Sequence, residues 1–313
     1  MASKSLNVFP RGWFVISFSN ELTVGAVKPL RYFAQDLVLF RSETGKPAVL
    51  SAHCPHLGAH LGYGGEVCSE TLRCPFHAWT FDGGGRCNSI PYAKKIPKNA
   101  SIQAWPVLER NQMIYLYHDP DGGDPEYDIP EIEECSNPEW SDWDHSILQI
   151  KTHPREIVEN VADLGHFIPV HGTHAEHFEN DFEGHIAIQR NRGKAYPRGG
   201  GVDEYKLTAT CFGPGYQVTE MDGVMQSKLV NAHTPIDENN LHLRFAVSLR
   251  HTGNVEQTRT FSKQYIDNLR TGFLEDVAIW EHKVYRPKPI LCDGDGPIPA
   301  LRHWYQQFYI SKS

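Results

Sequence analysis

The sequence predicts an α+β protein of two domains, an N-terminal all-β module followed by a domain of helices on an antiparallel sheet. Three observations lead there. A chain of 313 residues exceeds one small module and can bury a sizeable core. Its first third consists of short alternating apolar runs broken by turn-forming residues, whereas the remainder mixes such runs with a helical apolar period. Histidine is abundant, with 17 members, and it bunches at 53–60, 166–177 and 233–242, so both halves carry clustered metal-donor side chains.

The elements follow in order. From Gly12 to about His118, the runs Trp13-Phe-Val-Ile-Ser-Phe, Leu37-Val-Leu-Phe, Ala48-Val-Leu and Met113-Ile-Tyr-Leu-Tyr predict strands, separated by Gly, Pro, Asn and Asp. These strands define a first domain over residues 1–120. Residues 121–145, acidic and Pro-containing, predict a connector to a second domain at 146–313. Within the second domain, 155–168 has helical character, 203–250 holds strand-like runs, and 262–285 carries a long helical period. The polar stretch 176–203, ending in Arg198-Gly-Gly-Gly, predicts a loop or lid.

Composition excludes several classes. With 30 basic and 38 acidic residues, net −8, and no basic run, the chain is not expected to bind nucleic acid. No stretch of eighteen apolar residues is present, so no membrane span is expected. Met1 to Pro10 lacks the basic and apolar pattern of a signal peptide, so the expected location is cytoplasmic. Seven scattered cysteines do not suit a secreted disulfide scaffold, and some of them are expected to serve metal.

Cys54-Pro-His56, seventeen intervening residues, and Cys74-Pro-Phe-His77 offer two thiolates and two imidazoles on Gly- and Pro-rich turns. A tetrahedral zinc and a 2Fe-2S cluster with two histidine ligands both fit that set. Zinc fingers usually pair Cys with Cys and His with His. Here each loop contributes one of each, which favours the cluster. The motif resembles the Rieske domains, and the likeness extends through Leu57-Gly58 and Trp79 to Gly83-Gly84. Ala59 and Phe76 stand where respiratory Rieske proteins carry disulfide cysteines, which points to the oxygenase and ferredoxin branch. Ala78 departs from the glycine usual in oxygenases, and its methyl group is expected to tighten the loop. Cys68 and Cys87 have no place in the motif.

The second candidate site is Asp163-Leu-Gly-His166-Phe-Ile-Pro-Val-His171. On an ideal helix the two histidines would point about 140° apart. Pro169 predicts a break or kink that could swing them together, although the same residues also read as an ordinary polar helix end. An oxygen-activating Fe(II) site uses two histidines and one carboxylate. At about 100° per residue, Tyr265, Leu269, Phe273, Asp276 and Trp280 fall on one stripe, so Asp276 interrupts an apolar face. A buried carboxylate needs a cation or a partner, and Asp276 is therefore preferred over Glu275. His174 and His177 are alternates.

Asp163, His166 and His171 resemble the catalytic motif of the Rieske non-haem iron oxygenases. By that resemblance His166 and His171 bind mononuclear Fe(II), and Asp163 bridges His166 to a cluster histidine of a neighbouring subunit in a homotrimer. Ile90-Pro-Tyr, Phe182-Glu-Gly-His-Ile-Ala, Asp276-Val-Ala-Ile-Trp-Glu-His-Lys and Leu301-Arg-His-Trp-Tyr-Gln-Gln-Phe-Tyr look like the steroid branch, the 3-ketosteroid 9α-hydroxylase oxygenases and cholesterol 7-desaturases. The resemblance implies a monooxygenase component that takes electrons from an NAD(P)H-dependent reductase or a ferredoxin. With O2 it would hydroxylate a small apolar, steroid-like substrate. Sterol desaturation, and oxidation of a non-steroid aromatic or alicyclic compound, are the alternatives within the family. Phe167, Phe178, Phe182, Phe212, Tyr216 and Phe245 are candidates to line the pocket. An electron carrier with an inert second domain, or a sterol-binding module with structural zinc, would use the same first motif but leave the second without a purpose.

Overall fold

The computed structural model describes residues 8–196, 201–251 and 255–309. The chain forms two compact units, one of Arg11–Glu131 together with Pro235–Glu238, the other chiefly of Ile132–Thr234 and the residues from Asn239 onward.

The first unit is all β. Gly12–Phe18 pairs antiparallel with Met113–His118, which also pairs with Val107–Arg110. Every residue of Gly12–Phe18 and Met113–His118 is buried, so these strands read as continuous apolar runs and not as alternation. A second sheet takes the order Val27–Tyr32, Gln35–Arg41, Pro47–Ser51, Ala104–Trp105. A third, of three-residue strands, runs Glu66–Cys68, Thr71–Arg73, Thr80–Asp82, Cys87–Ser89. Strands this short bury little surface of their own. A shared core of Val38, Phe40, Leu50, Leu61, Leu72, Phe81 and their neighbours holds the second and third sheets around the Cys/His loops.

The second unit is built on a seven-stranded sheet. Thr173–Glu183, Ile186–Ala195, Asp203–Phe212, Tyr216–Asp222, Ser227–Pro235 and Leu241–Leu249 run as a meander, and Asp144–Ile150 pairs with the last of them. The helix Val255–Trp280 packs its stripe on the sheet: Tyr265, Ile266, Leu269 and Phe273 meet Leu229, Phe245 and Val247, while Trp280 meets Ile150, Leu241 and Leu243. The helix Ile298–Gln306 buries Leu301, Trp304 and Tyr305 against Ala187 and Cys211. No helix among the described residues is long and apolar enough to cross a membrane.

Two local expectations change. The stretch 176–203 is not a loop over most of its length, because Thr173–Glu183 and Ile186–Ala195 form a long antiparallel hairpin. Its polarity is that of a solvent-facing sheet edge stitched by charge, with Arg190 against Glu179 and Asp181, and Lys194 3.3 Å from Glu176. Arg198, Gly199 and Gly200 lie outside the described residues. The helical stretch at 155–168 is interrupted ahead of Pro169. A helix over Pro154–Glu159 tightens through Asn160–Ala162 and ends at Asp163, whose backbone is extended (φ −88°, ψ 93°). Pro169 then sits inside the short helix Phe167–His171, in its first turn, where its missing N–H has no helical acceptor to lose.

Candidate metal centres

In the first unit, two loops of like design face each other. The Cys54 amide donates to the Ala59 carbonyl (2.9 Å) and the Gly58 amide to that of Cys54 (2.9 Å). In the second loop the Cys74 amide donates to the Trp79 carbonyl (2.8 Å) and the Ala78 amide to that of Cys74 (3.1 Å). Each loop turns through a left-handed residue, Gly58 at φ +78° and Ala78 at φ +57°. Ala78 is thus an L-residue in the conformation its glycine counterpart adopts freely.

Both cysteines are almost wholly buried, and the His56 and His77 rings lie 4.6 Å apart at 75°. Burial, reinforced by the adjacent Cys74, pushes the Cys54 thiol up to about 11. His56 Nδ1 is buried and has no hydrogen-bond partner among the described residues. Buried nitrogen without a partner is costly, and an electrophilic iron would both relieve it and displace the thiol protons. The cradle therefore fits a cluster held by Cys54, His56, Cys74 and His77.

In the second unit, His166 caps the short helix and His171 ends it, before Gly172 reverses the chain at φ +62°. The two rings are 5.1 Å apart at 80°. Asp276 reaches them from the long helix, with Oδ2 3.3 Å from His171 Nε2. Donor atoms of His166, His171 and Asp276 all lie within 4.8 Å of one another, and Asp276 is only 5% exposed. Two imidazoles and a carboxylate grouped at one side of a cavity suit non-haem Fe(II) with open positions. The alternates fall elsewhere: His174 and His177 are exposed, and His177 pairs with Glu179 at 3.3 Å. Glu275 lines the cavity without joining the three-residue group.

Asp163 Oδ2 stands 3.6 Å from His166 Nδ1, an ion-pair distance longer than a hydrogen bond. Burial acts to raise its pKa, yet His166 and Lys283 together hold the carboxyl below the usual range. Lys283 is itself fixed by Glu156 (2.9 Å) and Glu159 (3.2 Å), and Arg302 reaches Glu159 at 2.6 Å. These pairs lace the segment before Asp163 to Lys283, just beyond the Asp276 helix, and to Arg302 in the helix Ile298–Gln306.

The cavity beside the three-residue group measures about 680 Å³. Phe167 and Phe245 line it; Phe178, Phe182, Phe212 and Tyr216 are not among its lining residues, and Phe182 packs instead toward the C-terminal helix. Sequence reasoning missed its polar wall. Gln189 and Asn231 project from sheet strands into the lining, and Gln189 Nε2 and Asn231 Oδ1 are buried with no hydrogen-bond partner among the described residues. The available signal was an amide at an inward position of a strand, which becomes visible only when the register is known.

Comparison with known proteins shows the family. Residues 12–106 match the Rieske [2Fe-2S] domain, and the chain is a Rieske-type iron-dependent monooxygenase with one 2Fe-2S cluster and one mononuclear iron. Residues 116–309 match the 3-ketosteroid 9α-hydroxylase C-terminal domain. A 3-ketosteroid-9-alpha-monooxygenase oxygenase component of Rhodococcus rhodochrous is 37% identical over 325 residues, covering 96% of this chain and 84% of that protein. Cholesterol 7-desaturase of Ciona intestinalis is 32% identical over 332 residues, covering 98% and 70%. The chain belongs to the 3-ketosteroid 9α-hydroxylase oxygenase family. Its fold also matches the crystal structure of dicamba monooxygenase bound to dicamba, at a TM-score of 0.77 with 19% identity over 97% of this chain and 98% of that one.

Proposed function

We propose that this chain is the oxygenase component that hydroxylates a steroid or sterol-like substrate, using O2 and electrons from an NAD(P)H-dependent reductase or a ferredoxin. The observation that carries the reading is the cavity of about 680 Å³ beside His166, His171 and Asp276, with apolar walls and two amide atoms, Gln189 Nε2 and Asn231 Oδ1, that have no partner among the described residues. That volume suits a rigid polycyclic molecule, and the amides suit one bearing oxygen functions. The names of the relatives support the same class.

In this reading the domains are 1–120 for the cluster and 146–313 for the iron, with 121–145 between. Cys54, His56, Cys74 and His77 hold the cluster; His166, His171 and Asp276 hold the iron. When bound, these groups supply one-electron transfer and oxygen activation. The chain's own residues bind and orient the substrate. Phe167, Leu229, Phe245 and Phe273 exclude water from the reacting carbon. Gln189 donates to a substrate carbonyl or hydroxyl, fixing which ring position faces the histidines. Asp163, at ion-pair distance from His166, biases the orientation of that ring, and it links to a cluster histidine of a neighbouring subunit within a homotrimer in the cytoplasm.

The test is product mass after incubating the protein, a surrogate reductase and NADH with 3-ketosteroids, sterols and bile-acid-like compounds. Gain of one oxygen supports the hydroxylase. Loss of two hydrogens selects desaturation, a reading favoured by the likeness to the cholesterol desaturase. No change in any steroid by iron-loaded protein removes the substrate assignment and directs the search to other aromatic or alicyclic compounds.

A further inference from the structure

Trp79 belongs to the second Cys/His loop, yet its ring serves the first. Its carbonyl closes the second loop by accepting the Cys74 amide at 2.8 Å. Its indole lies flat against the imidazole of His56, with ring centroids 4.8 Å apart and planes 9° from parallel. The opposing histidine, His77, meets His56 edge-on and has no indole against it among the described residues. The indole is only 9% exposed and is held by one directed contact: Nε1–H donates to the Tyr92 hydroxyl at 2.8 Å. Tyr92 follows the short strand Cys87–Ser89 and is 61% exposed, with its ring 6.5 Å from that of His56 and 6.4 Å from that of His77.

We propose that Trp79 and Tyr92 form a two-residue positioning device for His56, in which the Tyr92 hydroxyl, through the indole, lowers the reduction potential of the cluster. The inference rests on the assignment of His56 as a cluster ligand. A π face presented flat to an imidazole favours positive charge on that ring. The oxidised cluster carries one more positive charge than the reduced one, so the stacked indole stabilises the oxidised form more. Donating its N–H to an oxygen enriches the indole face and fixes its tilt. Without that acceptor, the indole face is less electron-rich, its tilt is set by packing alone, and the preference weakens.

The test is the midpoint potential and the EPR spectrum of the cluster in holoprotein carrying Tyr92→Phe, Trp79→Phe, or both. Tyr92→Phe removes one oxygen atom from a largely exposed residue, so folding and cluster content, checked by visible absorbance and acid-labile sulfide, stay at wild-type levels. The potential rises in Tyr92→Phe and in Trp79→Phe, the EPR g-values shift, and the double variant rises no further than the larger single one, because both substitutions cut the same contact. Tyr63→Phe, at another exposed tyrosine beside the first loop, leaves the potential unchanged. An unmoved or lowered potential in Tyr92→Phe, additive shifts in the double variant, or an equal shift in Tyr63→Phe overturns the proposal. Failure of the underlying ligand assignment looks different: His56→Ala would then keep the wild-type cluster spectrum.

Discussion

Replacing Ala78 with glycine should make the cluster-binding unit more stable, and the reverse change at the equivalent position should undo the gain. Ala78 sits at φ +57°. An L-residue in that region carries about 1–2 kcal/mol of strain. Glycine removes it but adds about 0.5–1 kcal/mol of backbone freedom to the unfolded chain. The net expectation for Ala78→Gly is a gain of about 0.5–1 kcal/mol. Gly58, at φ +78°, is the matching residue of the other loop, and a Cβ built there meets nothing within 4 Å. Gly58→Ala therefore carries the conformational cost alone, a loss of similar size, and the double variant should be close to neutral. Urea unfolding of holoprotein, followed by loss of the cluster's visible absorbance, reads the effect as a midpoint shift of a few tenths of a molar in opposite directions. A less stable Ala78→Gly variant, or a more stable Gly58→Ala variant, would refute the strain argument and show that the alanine methyl makes a packing contribution larger than its conformational cost.

Further expectations follow from the second unit. Asp276→Ala should lower the iron-to-sulfide ratio while the cluster spectrum persists, measured by iron and acid-labile sulfide analysis. Asp163→Ala should retain both metal centres yet lose roughly 100-fold or more in turnover, assayed as steady-state product formation; normal activity would remove its bridging role. Gln189→Leu should raise KM about tenfold for an oxygen-bearing substrate and stabilise the substrate-free protein by about 1 kcal/mol, since it removes a buried donor that has no partner among the described residues. His233 is buried and donates Nε2–H to the Pro214 carbonyl at 2.7 Å; burial pushes its pKa down to about 4 from 6.5. The unfolded state therefore binds more protons between pH 4 and 6.5, and the contribution is complete above that window. About 3 kcal/mol should be lost as pH falls through it, and His233→Gln should lessen the dependence of the urea midpoint on pH, with His153 and His242, also pushed down to about 4 by burial, supplying the remainder.

Much of this arrangement was legible in the residues because the informative spacings are short. Cys54 with His56, and Cys74 with His77, each fall on one tight turn, so the pairs announce themselves without knowledge of the fold. Asp276 was legible for another reason: a carboxylate on an apolar helical stripe must meet a positive partner, and the stripe does pack on the sheet as its period demands. The hairpin Thr173–Glu183 and Ile186–Ala195 was not legible, because an edge strand covered by charged pairs has the composition of a loop. The break at Asp163 was misplaced to Pro169, since proline inside a first turn costs nothing and its sequence signal is the same in either place. Gln189 and Asn231 stayed hidden because an inward amide matters only once the sheet register decides which face is inward.

His171 and Asp276 stand side by side in space but are separated in the chain by the rest of the sheet meander, roughly a hundred residues. An ion seated between them is a clasp that shuts only after every intervening strand has found its neighbour. A complete site therefore requires the complete sheet, because a slipped hairpin would leave His171 and Asp276 apart. Chelation should loosen the His166–His171 segment first, read as faster amide exchange there, while Trp280 keeps the end of the long helix on the sheet.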